Sequence, residues 1–165
     1  MAETDPAWDE IHEKYSRKGL IDHNAPVQAD GEIDIAAPPE RVWAALTHVA
    51  GWHHIRADIS DVTMHGSVAT NSPFTWSTQG LGLSSRFGLV SPVSEVAWST
   101  STRGLVMSAH YELERRGDGN TLLKGHEAFT APMFPQLGND ELRANIRSWL
   151  EGVKAVAERA GPSHT

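Results

Sequence analysis

Arg116-Gly-Asp-Gly-Asn120 is the densest turn signal in the chain. The segments on both sides alternate apolar and polar residues, so the stretch demands a β-hairpin. Before the turn, Leu105, Met107, Ala109, Tyr111 and Leu113 share one face, with Val106, Ser108, His110 and Glu112 on the other. After it, Leu123, Gly125, Glu127 and Phe129 share one face, with Lys124, His126 and Ala128 on the other. Setting Leu113 opposite Leu123 places Glu112 against Lys124, small Gly125 against bulky Tyr111, and small Ala109 against Glu127. Three sensible pairings from one register support that register. Its consequence is chemical: the apolar face carries a carboxylate, Glu127, diagonal to the Tyr111 phenol.

Other segments extend the sheet. A strand is expected over 27–35, followed by short strands at about 59–65, 74–79, 83–91 and 94–101, with the hairpin strands at 105–115 and 121–130. Pro38-Pro39 ends the first strand and Glu40–Leu46 is helical in pattern, with Gly51-Trp-His-His54 closing a second short helix or turn. Met133-Phe134-Pro135 leads into a long helix over 139–159, whose apolar face is Leu142, Ile146, Trp149, Leu150, Val153 and Val156. Near the N-terminus, Asp5-Pro6 reads as cap and first helical residue, Gly19 as the stop, and Trp8, Ile11 and Tyr15 as one apolar stripe. A helix this short is marginal alone in water, so it should dock. Its own domain is the default; a pocket entrance or a second subunit, which would make the protein a homodimer, are the alternatives.

Charge and composition exclude several functions. Lys plus Arg number 14 against 21 Asp plus Glu, and no basic stripe stands out, which disfavours nucleic acid as a partner. Without Cys there is no disulfide framework, thiol nucleophile or Cys-type zinc site. The acidic start MAETDPAWDEIHEK has no apolar core, and no run reaches the ~18 apolar residues of a membrane span, so the expected compartment is the cytoplasm. Gly80–Ser85, GLGLSS, joins two strands and lacks the third glycine of a dinucleotide fingerprint, so no nucleotide cofactor is expected.

The order of strand, two helices, antiparallel strands and long C-terminal helix resembles the helix-grip fold, an α+β architecture. More specifically, residues 27–160 resemble the polyketide cyclase/dehydrase branch of the START-like SRPBCC superfamily. The residues that carry this are IDIAAPPERVWAALTHVAGW (33–52), SPFTWS (72–77), WSTSTRGLVMSAHYEL (98–113) and Glu127-Ala-Phe129. Residues 1–26, a helical extension and loop, lie outside it. The resemblance implies a curved antiparallel sheet wrapped around the long helix, with an internal apolar cavity. Members bind lipids, sterols, polyketides and hormones; some catalyse cyclisation or dehydration, and others only carry or sense ligands.

Glu127 heads the candidate catalytic residues, because an apolar cavity would raise its pKa toward neutrality and suit it to acid/base work. Tyr111 could then donate to a substrate oxygen. The alternative for both is a purely binding role. Within Gly51–Asp58, GWHHIRAD, Trp52 matches the first aromatic of a family segment that usually reads Trp-Pro-x-Trp, while His53 and Ile55 replace the proline and the second aromatic. The segment is expected at the cavity rim, with His54 facing the pocket as a proton shuttle and Arg56 holding an acidic oxygen; the alternative is a solvated helix end. Phe74, Trp76, Phe87, Met107, Phe129 and Trp149 are candidate cavity walls, with polar Ser85 beside Phe87. His110 and His126 face each other across the outer face, but two imidazoles make only half a zinc site, so a surface pair or subunit contact is favoured over a metal. The expected function is binding of a hydrophobic small molecule with acid/base-assisted cyclisation or dehydration; a non-catalytic carrier, sensor or self-resistance protein is the rival.

Overall fold

The computed structural model describes residues 6–131 and 136–160. The alternating segments form one seven-stranded antiparallel sheet in the order β1-β7-β6-β5-β4-β3-β2. These strands are β1 Val27–Ile35, β2 Ile59–Met64, β3 Pro73–Thr78, β4 Leu81–Ser91, β5 Glu95–Thr102, β6 Leu105–Arg115 and β7 Thr121–Thr130. The α-helices among the described residues are α1 Pro6–Lys14, α2 Pro39–Thr47 and α3 Asn139–Ala160, with 3₁₀ turns at Ser16–Lys18 and Val49–His54. The chain lays β1 at one position, crosses by α2 to the far edge, and meanders back until β7 pairs with β1. The register shifts between Ser60 and Thr63 and between Phe87 and Val90, as at a β-bulge, where strands commonly bend and twist. This is the helix-grip arrangement.

The hairpin adopts the expected register: Leu113 faces Leu123, Tyr111 faces Gly125, Ala109 faces Glu127 and His110 faces His126. One detail of it differs. Lys124 lies opposite Glu112, yet its ammonium turns to Glu114 at 3.4 Å. On this exposed face a long lysine reaches either neighbour at little cost.

The core sits between sheet and α3, which buries Leu142, Ile146, Trp149, Leu150 and Val153; Ala157 rather than Val156 completes the buried face. Trp52 is its hub. Its ring has no exposed area and lies 4.9–5.4 Å, centroid to centroid, from Phe74, Trp76, Trp98 and Trp149. Its Nε1 donates to the Leu46 carbonyl at 3.1 Å, so the indole brings no unmet polar atom into the core.

The N-terminal segment docks on the outer, convex face of the sheet, against β4, β5 and β6. The expected stripe is not its buried face: Trp8, Ile11 and Tyr15 are half-buried, whereas His12 and Ser16 are fully buried. The surface underneath explains this, because it presents Ala97, Ser99 and Ser108, small and largely polar. His12 answers it with hydrogen bonds at both ring nitrogens, Nδ1 with Ser99 Oγ and Nε2 with Asn71 Oδ1, each 2.7 Å. Trp8 Nε1 donates to the same Ser99 at 2.8 Å, and Arg86 both pairs with Asp9 at 2.7 Å and covers the Trp8 ring at 4.3 Å. A side chain at Gly88 would run into the Ser16 backbone, so the glycine is what lets the segment lie this close. Asp5 and Met133-Phe134-Pro135 lie outside the described residues. Among the described residues no helix is long and apolar enough to cross a membrane.

Candidate active site

Between the concave face of the sheet, the 3₁₀ turn and α3 lies a cavity of about 740 Å³. Its walls are mainly apolar: Trp52, Trp76, Leu83, Trp98, Met107, Phe129, Leu142 and Trp149. Period-2 alternation brings these residues inward from β3 to β7, and the 3.6-residue period of α3 supplies the opposite wall. Polar groups interrupt these walls in several places. Thr100 and Glu127 lie on β5 and β7; Arg56, Asp58, Thr78 and Asn145 form a cluster, and Gln79, Glu141 and Ser148 also line the space.

Glu127 is 6% exposed, and Tyr111, with no exposed area, donates from its hydroxyl to Glu127 Oε2 at 2.5 Å. Tyr111 can lie across the sheet in this way because a side chain at Gly125, directly opposite, would overlap its ring. Its other face stacks on Trp98, with centroids 5.3 Å apart and planes 10° from parallel. Burial raises the Glu127 pKa; the Tyr111 hydrogen bond and the charge of Arg56 oppose that without cancelling it. Burial and the adjacent Glu127 push the Tyr111 phenol well above its ordinary value, so it stays a donor. The pair is therefore one proton-accepting carboxyl steadied by one committed hydroxyl.

The second cluster is a clamp. Arg56 donates from Nε and a terminal nitrogen to the two Asp58 oxygens, both at 3.2 Å, to Thr78 Oγ1 at 2.9 Å, and to Asn145 Oδ1 on α3 at 2.5 Å. Thr78 in turn donates to Asp58 at 2.6 Å. Burial works to raise the Asp58 carboxyl, but the bonds from Thr78 and Arg56 together outweigh it and hold the group below its usual range. Four of the five guanidinium N–H groups are thus spent tying the loop after the 3₁₀ turn to β3 and to α3.

Residues 26–161 match the family described as polyketide cyclase/dehydrase and lipid transport. The chain belongs to this family. Its fold is likewise that of solved structures at low identity. Protein MLL2253 from Mesorhizobium loti is similar at a TM-score of 0.68 and 17% identity, over 82% of this chain and 99% of that one. The ZhuI aromatase/cyclase from Streptomyces sp. R1128 is similar at 0.66 and 19%, over 82% and 96%. A point mutant of Thalictrum flavum norcoclaurine synthase, in complex with a transition-state analogue, is similar at 0.64 and 10%, over 82% and 96%. No curated protein sequence matches the chain significantly.

In this polyketide cyclase/dehydrase family member, the cavity gathers Trp52, Arg56, Trp76, Met107, Phe129, Trp149 and Glu127 from among the residues singled out in the sequence. Others sit elsewhere. Phe74 and Phe87 pack on each other at 4.9 Å in the core, and Ser85 lies buried behind Trp76; none of the three lines the cavity. Tyr111 is also behind the wall, its hydroxyl used on Glu127 rather than offered to a ligand. His54 corrects the expected rim: it is exposed, its ring tilted against that of exposed His53 with centroids 3.9 Å apart, and it is absent from the cavity lining. The tight turn needs Trp52 and Ile55 for the core, which leaves the two intervening residues facing water.

Trp98, Thr100, Asp58, Thr78 and Asn145 were not foreseen. Alternation along β5 would have assigned Trp98 and Thr100 inward, but that strand is buried on both faces and ends in the continuous polar run Ser99–Thr102, which hides its phase. On the outer face His110 does not share its approach with His126. It bonds Glu95 at 2.8 Å, and together with Glu112 these form a histidine–carboxylate set whose ligand atoms lie within 4.8 Å of one another. His126 instead packs against His23, with ring centroids 5.5 Å apart.

Proposed function

We propose that the protein binds a hydrophobic, polyketide- or lipid-like small molecule in this cavity and catalyses its cyclisation or dehydration, with Glu127 as the acid/base. The observation that carries this reading is a nearly buried carboxyl, raised in pKa, on the wall of a large aromatic cavity. Such a group can take a proton from a carbon beside a carbonyl and return it to a departing hydroxyl, which leaves as water; the carboxyl ends each cycle as it began. Tyr111 acts as a positioning residue, holding one carboxyl oxygen so that the other meets the substrate. Arg56 holds the wall together rather than binding an acidic oxygen, because its donors are nearly all spent. Family membership and the likeness to an aromatase/cyclase support the substrate class.

The test begins with native mass spectrometry of the purified protein to find a co-purified ligand, followed by turnover assays on it and its precursors. Glu127→Gln should keep binding and lose about 10²–10⁴-fold in turnover, the usual worth of a positioned acid/base. A variant with full turnover would remove Glu127 from the mechanism. Binding without turnover in the unaltered protein would instead assign a carrier or sensor.

A further inference from the structure

On the outer face of the sheet, away from the cavity, strand register sets four charged residues in a row. Glu32 on β1, Lys124 on β7, Glu112 on β6 and Glu95 on β5 lie opposite one another in turn. Glu112 and Glu95 are thus direct cross-strand neighbours, a placement that is unfavourable for two like charges. Lys124 does not relieve it, because its ammonium goes to Glu114 at 3.4 Å. Glu112 is exposed and has no hydrogen-bond or ion-pair partner among the described residues. His110 leaves β6 on the same face, two residues earlier, and its Nε2 lies 2.8 Å from Glu95 Oε1. One imidazole nitrogen and one oxygen of each carboxylate all fall within 4.8 Å of one another. Gly19 closes the N-terminal segment over this set. A Cβ there would lie 3.1 Å from Glu95 Oε1 and 3.4 Å from His110 Nε2, so only a glycine keeps that space open. Beside it is a surface hollow of about 290 Å³, lined among others by His110, Glu112 and His126.

We infer that Glu95, His110 and Glu112 form a site for a divalent transition-metal ion of the zinc type on the outer face of the sheet. One imidazole and two carboxylates are three ligands of the kinds zinc takes, with a fourth position left for water. The imidazole selects against magnesium and calcium, which prefer oxygen alone. Zinc holds nitrogen and oxygen at about 2.0–2.2 Å, which sets its ligand atoms roughly 3–4 Å apart. His110 and Glu95 are already that near, and a turn of the unpartnered Glu112 completes the set. The ion takes the place of the proton in the His110–Glu95 bond, while the neutral imidazole keeps its own on Nδ1. Two positive charges then lie between carboxylates that otherwise repel each other. His126, the other half of the pair noticed in the sequence, packs on His23 and is not needed. Because β5 and β6 supply the ligands and Gly19 lies over them, the ion ties the two strands together beneath the end of the N-terminal segment. The site is separate from the cavity and does not depend on the proposed acid/base chemistry.

The experiment titrates zinc chloride by calorimetry into the full-length, untagged protein, first stripped with a chelator that is then removed. Glu95→Gln and Glu112→Gln should each weaken binding by about 10–100-fold, the loss that follows even from removing a ligand's supporting hydrogen bond, and His110→Gln should abolish it. A double variant, His53→Gln with His54→Gln, should bind as the unaltered protein does, and magnesium chloride should give no binding heat. Nitrogen-15 spectra of the imidazoles should show His110 Nε2 as the ring nitrogen that moves on zinc addition. Zinc binding that survives in His110→Gln, or that is lost with His53 and His54, would overturn the inference. No zinc binding by the unaltered protein would overturn it too, leaving a plain ion pair between His110 and Glu95. Glu112 is exposed, so its glutamine variant and the spectra of the unaltered protein decide even where His110→Gln does not fold.

Discussion

Replacing Tyr111 by phenylalanine would keep the stack on Trp98 and delete only the hydroxyl that donates to Glu127. That hydrogen bond lowers the Glu127 pKa against a larger rise from burial, so its loss moves the pKa further up. A carboxyl raised above its unfolded value stabilises the fold below that value, about 4.3, and the contribution is lost as pH rises through the folded value. In Tyr111→Phe the loss should therefore be centred at higher pH, with stability about 1–3 kcal/mol lower, the cost of leaving a buried polar group without its partner. Thermal melts between pH 4 and 9 measure both, and an unmoved midpoint would mean that Tyr111 does not tune the carboxyl. The same pair marks what could be read at this scale. Alternation along β7 placed Glu127 on the inner face, and the register put Tyr111 diagonal to it. Alternation says which face a side chain leaves from, however, and not whether it ends in a cavity or behind its wall. Tyr111 and Ser85 end behind it, and Thr100 ends on it.

Among the elements, α1 is held to the sheet in part by a buried titratable group. His12 is buried with both ring nitrogens bonded; burial lowers its pKa, Arg86 and Arg17 push the same way, and the Asn71 bond and Glu13 only partly oppose them. Asp9, which pairs with Arg86, is the other charge facing this contact. A histidine depressed on folding contributes stability above its unfolded pKa, about 6.5, and loses it as pH falls through the lower folded value. Limited proteolysis within residues 6–19 should accordingly accelerate about 5–30-fold, the equivalent of 1–2 kcal/mol, between pH 7.5 and the acid side of the histidine range. His12→Gln should remove that pH dependence. A cleavage rate indifferent to pH would mean that His12 stays neutral in the docked segment throughout. The sequence offered Trp8, Ile11 and Tyr15 as the docking stripe because helical periodicity registers only apolarity. A polar sheet face selects polar partners, and that face was assembled from strands far along the chain.

For the molecule as a whole, Trp52 joins the 3₁₀ turn, β3, β5 and α3 through four ring contacts around one fully buried indole. Trp52→Ala should cost about 3–5 kcal/mol, as large aromatic deletions from cores do, against a total of about 5–15 kcal/mol. At this chain length that lowers the Tm by roughly 6–20 °C, and a drop of only a degree or two in calorimetry would show the hub to be dispensable. Dense as it looks, GWHHIRAD is thus mainly structural: Trp52 anchors the core, His53 and His54 face water, and Arg56 clamps three elements together. The sequence by itself determined the strand order along the chain, the hairpin register, the inward carboxyl and the long gripping helix, because period-2 and period-3.6 patterns and turn residues act over a few neighbouring positions. Only the tertiary structure decided which inward groups line the cavity and which face α1 covers. Those outcomes rest on contacts such as Trp8 with Ser99, 91 residues apart in the chain, where burial and hydrogen bonding between distant segments, rather than local pattern, set the lowest free energy.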